Sequence, residues 1–344
     1  MTATAPIESA LELPCYVAGE PVLSSSKLEV HYPYTGEVSG IVSMLGRKEL
    51  DAAITAALAP RDPLTRYQRY EILERARVLL SERADEFANL IRSEAGLCMR
   101  ETRYEVGRAQ DVLQFAAMEA LKDDGQIFSC DVSPQGKARK IFTIREPLNL
   151  IAAITPFNHP LNQVAHKLAP AIAAGVPVIL KPAKKTPLTA IRFVELLYEA
   201  GLPGPMLSVL LGTVDELLDP LVADERVDLV TFTGSTRIGK QLPKTAGYKK
   251  LCLELGGNAP LIIMDDAEMD LAVTLAAEGC FRNSGQRCTA VKRLLVHEKI
   301  LADFTQRFVE KVKEYPAGDP ADEDTRVGTV IDEPAAVELE DRVK

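Results

Sequence analysis

The chain has 344 residues, 47% of them hydrophobic and 26% charged, with a formal net charge of −9 at pH 7. That length and apolar content suffice for two domains with full cores and exclude a disordered chain. The negative balance excludes general attraction to nucleic acid or to an anionic membrane, so any anion site has to be a local basic pocket.

The N-terminal stretch, with Pro6, Glu8, Glu12 and Pro14, lacks a basic segment followed by an apolar run, and no later apolar span is long enough for a membrane helix. A cytoplasmic protein is expected. Six irregularly spaced cysteines, with no Cys-x-x-Cys pair or Cys/His cluster, point to reduced thiols and to no metal site.

In chain order, residues 1–45 read as a small hairpin region, with β-type runs at Tyr16–Val17 and Leu28–Tyr32 and turns at Gly19-Glu20-Pro21 and Tyr34-Thr35-Gly36. Lys48–Ala95 turns helical, with Leu73, Ala76, Leu80, Ala84 and Phe87 at helical spacing and Thr65 and Gln68 at capping-box spacing. Glu101–Leu121 predicts another helix, with Tyr104, Arg108, Val112 and Phe115 on one apolar face. Arg108 interrupts that face, either in an ion pair with Glu105 or Asp111 or at a pocket. Ile127–Val132 and Lys140–Arg145 read as strands of a projecting hairpin around Ser133-Pro134-Gln135-Gly136.

From Leu148 the rhythm alternates. Strands are predicted at Leu150–Thr155, Val176–Leu180, Leu207–Leu210 and Val227–Phe232, with helices at Leu161–Ala174, Thr186–Ala200 and Val214–Val222 between them. Such alternation argues for a parallel sheet covered on both faces, which binds nucleotides at the carboxyl ends of its strands. After Leu255 a second α/β unit begins, with strands at Leu261–Met264 and Arg293–His297 and helices at Asp270–Arg282 and Lys299–Tyr315.

The chemistry concentrates in Leu251–Val291, where Leu-Glu-Leu-Gly-Gly-Asn-Ala-Pro (253–260) precedes Asn-Ser-Gly-Gln-Arg-Cys-Thr-Ala (283–290). Glycine and small residues surround Glu254 and Cys288, which predicts that each side chain stands on a turn. A thiolate attacks a carbonyl carbon and a carboxylate activates the water that hydrolyses the thioester, so the pair suits a nucleophile and a base. Arg287 beside the thiol favours the thiolate, whereas Cys15, Cys98, Cys130, Cys252 and Cys280 lack the combination of Gln286, Arg287 and Thr289 that flanks Cys288 and are expected to pack.

Both motifs resemble those of the aldehyde dehydrogenase superfamily, and the likeness covers nearly the whole chain. The resemblance implies an aldehyde dehydrogenase-like α/β fold: a dinucleotide-binding domain over 1–126 and 147–254, an oligomerisation hairpin over 127–146, and the first part of a catalytic domain over 255–344. It implies Cys288 as nucleophile, Glu254 as base and Asn158 as oxyanion donor, with NAD or NADP as cofactor. Thr155, Pro156, Lys181, Gly212, Phe232, Gly234, Ser235, Gly239, Leu255 and Gly256 match cofactor positions of the family. Lys184 stands where the family often has glutamate; it either meets the 2′-phosphate of NADP or points to solvent beside Lys185.

His159, Arg287, Thr289 and Arg108 are the candidate substrate-binding residues, a cradle for an anionic tail; His159 taken alone also reads as a core histidine. Within the superfamily the segments 104–109, 127–131, 136–140, 157–162 and 286–293 resemble those of phosphonoacetaldehyde dehydrogenases, which implies oxidation of phosphonoacetaldehyde to phosphonoacetate. Enzymes for glyceraldehyde-3-phosphate, lactaldehyde or a semialdehyde remain alternatives, as does a nucleotide-binding remnant without catalysis. Full-length relatives continue past Lys344 and assemble as homodimers or homotetramers, so a C-terminally shortened member is expected, with no nucleic-acid or membrane partner.

Overall fold

Five short strands open the chain in the computed structural model, which describes residues 11–122 and 125–344: β1 (Leu11–Leu13), β2 (Cys15–Val17), β3 (Glu20–Val22), β4 (Lys27–His31) and β5 (Val38–Ser43). Pro6 and Glu8, on which part of the leader argument rests, lie outside the described residues. The β2–β3 turn needs glycine: Gly19 has φ +87°, and a Cβ there would lie 2.8 Å from the Gly204 backbone. The sequence predicted the hairpins but not their sheets. The β2–β3 pair joins the main sheet, whereas β1, β5 and β4 form a separate three-stranded one.

Helices α1 (Arg47–Leu58), α2 (Arg66–Glu82), α3 (Ala84–Ala95) and α4 (Met99–Ala120) follow. At the start of α2 the expected reciprocal cap is present: Gln68 N donates to Thr65 Oγ1 at 3.2 Å and Thr65 N donates to Gln68 Oε1 at 2.8 Å. The predicted apolar face of α4 is wrong. Tyr104 and Phe115 are exposed, and the helix buries Glu105, Val106, Ala109, Leu113, Ala116 and Ala117 instead. Alanines let α4 lie close against α2 and α5, while Tyr104 stays outside beneath the Arg282 guanidinium, 4.4 Å from its ring centre. β6 (Ile127–Ser129) and β7 (Lys140–Phe142) pair antiparallel as the predicted hairpin does, over shorter spans.

The main unit runs β8 (Ile151–Ile154), α5 (Asn162–Ala174), β9 (Val178–Lys181), α6 (Leu188–Glu199), β10 (Leu207–Val209), α7 (Asp219–Ala223), β11 (Leu229–Thr233), α8 (Thr236–Gly239), α9 (Leu242–Ala246) and β12 (Lys250–Glu254). Its seven strands lie in the order β12-β11-β8-β9-β10-β2-β3; the first five are parallel and the β2–β3 hairpin closes the edge antiparallel. The predicted helix at Val214–Val222 begins instead as a wide π turn over Val214–Leu218 before α7. The last unit comprises β13 (Ala259–Ile263), α10 (Met269–Phe281), β14 (Val291–Val296), α11 (Leu301–Val312) and α12 (Glu333–Val343).

One large apolar core joins residues from Leu13 to Ala246, and a small second cluster joins Ile263, Val273, Ala276 and Phe304. These strands and helices form a mixed α/β fold with a parallel sheet, as the strand–helix alternation predicted. Among the described residues no helix is long and apolar enough to cross a membrane.

Candidate active site

Register places the candidate nucleotide residues on one edge. Ile154 pairs with Lys181, Phe232 with Ile154 and Thr233 with Glu254, so the carboxyl ends of β8, β9, β11 and β12 finish together. Thr155 and Pro156 extend β8 there, and Thr155 N donates to Lys181 O at 3.3 Å. The β11–α8 turn rests on the chain after β12: Gly234 N donates to Glu254 O at 3.0 Å, a Cβ on Gly239 would meet the Leu255 side chain, and Gly256 faces Thr236. Ser235 caps α8 by accepting from Ile238 N, Phe232 is buried beneath Gly234, and Gly212 is closed in between Leu45 O and Leu217.

Two polar groups at this edge have capacity to spare. Thr233 Oγ1 is buried with no hydrogen-bond partner, and buried Lys181 Nζ donates to Pro182 O at 3.1 Å. Burial, and then the neighbouring Lys184 charge, push the Lys181 ammonium down to about 8. A glycine turn, an unpaired hydroxyl and an underused ammonium fit the phosphates and ribose of a dinucleotide.

Cys288 and Glu254, the candidate nucleophile and base, are 34 positions apart and are brought to one end of the last unit by a strand–helix–strand crossover. β13 and β14 are parallel neighbours, pairing Ala259 with Val291 and, after a bulge, Pro260–Ile263 with Arg293–Val296, so the chain entering each strand brings Glu254 and Cys288 to one end. Contact there is close: a Cβ on Gly257 would lie 2.3 Å from the Cys288 carbonyl oxygen. Arg293 fastens the same loops, donating from Nε and Nη2 to Asn258 O at 3.2 and 2.9 Å. Glu254 is not on a turn, as its sequence surroundings predicted, but is the last residue of β12, where the strand pairing fixes its backbone. Its side chain and that of Cys288 are exposed.

The loop before Cys288 is strained. Asn283, Ser284 and Gly285 all adopt left-handed φ (56°, 52° and 70°), a conformation that costs non-glycine residues about 1–3 kcal/mol each. Buried Asn283 holds it by donating from Nδ2 to Asn158 O at 3.1 Å, while Asn158 Nδ2 donates to Gln286 O at 2.7 Å. Asn158 is thereby tied to the loop that carries the thiol.

Glu105 holds the segment that follows Asn158. This carboxylate, 2% exposed, accepts Leu161 N at 2.8 Å and Asn162 N at 2.9 Å, capping α5, and its other oxygen faces His159 Nδ1 at 3.4 Å. Glu94 caps α6 in the same manner through Leu188 N and Thr189 N. Glu105→Ala leaves two buried amides without an acceptor and is expected to lower stability by about 2–5 kcal/mol, measured by urea unfolding. Glu105→Gln, which keeps an acceptor, should lose clearly less; equal losses would refute the capping role.

The four candidate substrate residues do not converge. Arg287 turns its Nη2 toward the end of α10, donating to Glu278 O and Gly279 O at 3.1 and 2.8 Å, and leaves Nε buried and unpaired. Arg108 pairs with Asp111 at 3.2 Å and faces a separate cavity. His159 leans on Glu105, and Thr289 is exposed beside Cys288. Lys184 lies beside Lys181, while its neighbour Lys185 pairs with Asp332. The packing expectation holds for Cys15 and Cys98 but fails for Cys252, which is exposed because β12 is an edge strand.

Sequence reasoning missed Lys167. It is buried on α5, donates to Thr231 Oγ1 at 2.9 Å, and is pushed down to about 8 by burial against the opposing pull of the Cys252 and Glu254 charges. Its apolar helical spacing gave no signal.

The chain is similar to known proteins over most of its length. The model of the aldehyde dehydrogenase family matches residues 22–344. A 3-sulfolactaldehyde dehydrogenase of Priestia aryabhattai is 39% identical over 330 residues, covering 96% of this chain and 69% of its own. Among solved structures, aldehyde dehydrogenase 21 of Physcomitrella patens, in complex with the reaction product succinate, superposes with a TM-score of 0.94 at 36% identity, covering 98% of this chain and 71% of that one. An NADP dependent enzyme of E. coli superposes with a TM-score of 0.91 at 32% identity, covering 97% and 70%. With 323 consecutive residues matched and the Cys288 and Glu254 loops in contact, the chain belongs to the aldehyde dehydrogenase family.

Proposed function

We propose that the chain oxidises a small anionic aldehyde to its acid with NAD or NADP, with phosphonoacetaldehyde, converted to phosphonoacetate, as the specific substrate. The observation that carries the reading is the contact of the Gly257 and Cys288 loops, which sets a thiol and a carboxylate at one end of paired strands. The Cys288 thiolate adds to the aldehyde carbon. Asn158, whose Nδ2 has a second N–H beyond the one given to Gln286 O, and the Cys288 backbone N–H stabilise the oxyanion. NAD or NADP, when bound, supplies the hydride acceptor. Lys181, Gly234, Ser235, Gly239 and Gly256 would hold it, with Lys184 toward a 2′-phosphate. Glu254 deprotonates the water that releases the acid.

Support for an anionic substrate comes from two sides. The relatives named above act on a sulfonate-bearing aldehyde and hold a dicarboxylate product. Beside the thiol, Lys292 Nζ donates to Arg287 O at 3.0 Å and to Cys288 O at 3.5 Å, which puts a cation on the loop that carries Cys288. The phosphonate assignment rests on the likeness of segments 104–109, 157–162 and 286–293. A sulfonate- or carboxylate-bearing aldehyde is the second reading, favoured by those relatives' names. We further propose a cytoplasmic homo-oligomer joined through the hairpin, whose Ile127, Phe142 and Ile144 are each more than 70% exposed.

Formation of NADH and NADPH, followed by absorbance, tests the proposal with phosphonoacetaldehyde, 3-sulfolactaldehyde, succinate semialdehyde, glyceraldehyde-3-phosphate and propanal. The kcat/KM for phosphonoacetaldehyde should exceed that for propanal by about 10–100-fold, the worth of one charge-assisted hydrogen bond. Preference for another anion selects the second reading, and dinucleotide binding without turnover of any aldehyde selects a non-catalytic chain.

A further inference from the structure

A cavity of about 710 Å³ opens between α2, α4, α5 and the foot of the β6–β7 hairpin, and neither Cys288, Glu254 nor Asn158 lines it. Its wall carries Arg66, Arg69, Arg108, Lys122 and Arg145 against Asp111, Glu119 and Glu146, an excess of positive charge in a chain whose net charge is −9. Some of these cations are committed. Arg108 pairs with Asp111, Lys122 pairs with Glu119, and Arg69 donates to Ala173 O at 2.7 Å. Arg145 and His166 are different: among the described residues neither has a hydrogen-bond or ion-pair partner, and both face the cavity. Leu64, Val112, Phe115 and Pro170 give the same space an apolar floor. Small-ligand sites combine such a volume and lining with a few polar groups that fix orientation.

We propose that this cavity is a second binding site, for a small organic anion whose apolar body lies on Val112 and Phe115 and whose carboxylate, phosphonate or sulfonate is held by Arg145 and His166. Arg69, which donates only to backbone carbonyls, adds a standing positive potential. The site stands apart from the catalytic residues and does not depend on the catalytic reading.

Phenylphosphonate is the probe, with benzamide as its uncharged counterpart, titrated calorimetrically into the full chain. Phenylphosphonate should bind and benzamide should not. Arg145→Ala and His166→Ala should each weaken binding about tenfold, the loss of one charge-assisted hydrogen bond, while Asn158→Ala and Cys288→Ala leave it unchanged. Circular dichroism confirms that each variant folds. Absence of binding, equal binding of benzamide, or loss in Asn158→Ala without loss in Arg145→Ala would overturn the proposal, the last by assigning the anion to the catalytic loop.

Discussion

Cys288→Ala should lower aldehyde-dependent NAD(P)H formation by about 10⁴-fold or more, because the two-step route depends on a covalent adduct with the Cys288 thiolate. Stability should hardly change. The Cys288 side chain is exposed, and truncating an exposed thiol leaves neither a cavity nor an orphaned buried group. Cys15 is the opposite case: buried, donating to Ser43 O at 3.2 Å, accepting from Leu211 N at 3.3 Å, and pushed by burial to about 12, so it is a packed thiol and not a nucleophile. Cys252→Ala is the decisive control, since Cys252 is exposed two residues before the candidate base. Activity lost in Cys252→Ala and kept in Cys288→Ala would sink the assignment.

Where the sequence was legible, a local rule matched the final environment. Gly175 ends α5 with φ +78°, and the Thr65–Gln68 cap formed, because both depend on a few neighbouring residues. The parallel strands read correctly because both of their faces are buried, which leaves continuous apolar runs such as Ile151–Ile154. What stayed hidden was long-range. The joining of β2 to β10 depends on residues nearly 200 positions apart, and the buried face of α4 is made of alanines whose close approach no periodicity of large side chains reports. At the site, the motif residues around Glu254 and Cys288 were visible, but not the groups that hold them. Glu105, Asn283 and Lys167 are polar residues in helices or turns that look solvated until tertiary contacts enclose them. The same blindness explains Arg287: adjacency in sequence placed its charge at the thiol, whereas its hydrogen bonds tie the guanidinium to the end of α10.

Glu254→Gln is expected to separate the two halves of the reaction. Thiol attack does not need the carboxylate, so a first turnover should still yield up to one equivalent of reduced cofactor per chain. Hydrolysis of the thioester does need it, and steady-state turnover should fall by about 10²–10⁴-fold, the usual worth of a positioned general base. The geometry favours a chemical over a structural loss. Glu254 closes β12 through its backbone, in register with Thr233 and accepting Gly234 N at its carbonyl, and glutamine preserves both contacts. Hydroxylamine supplies the discriminating readout. As an external nucleophile that needs no general base, it should cleave the accumulated thioester to a hydroxamate and restore turnover in Glu254→Gln. A variant whose active site had merely collapsed would show neither the initial burst nor the rescue, and full steady-state activity would remove Glu254 from the mechanism.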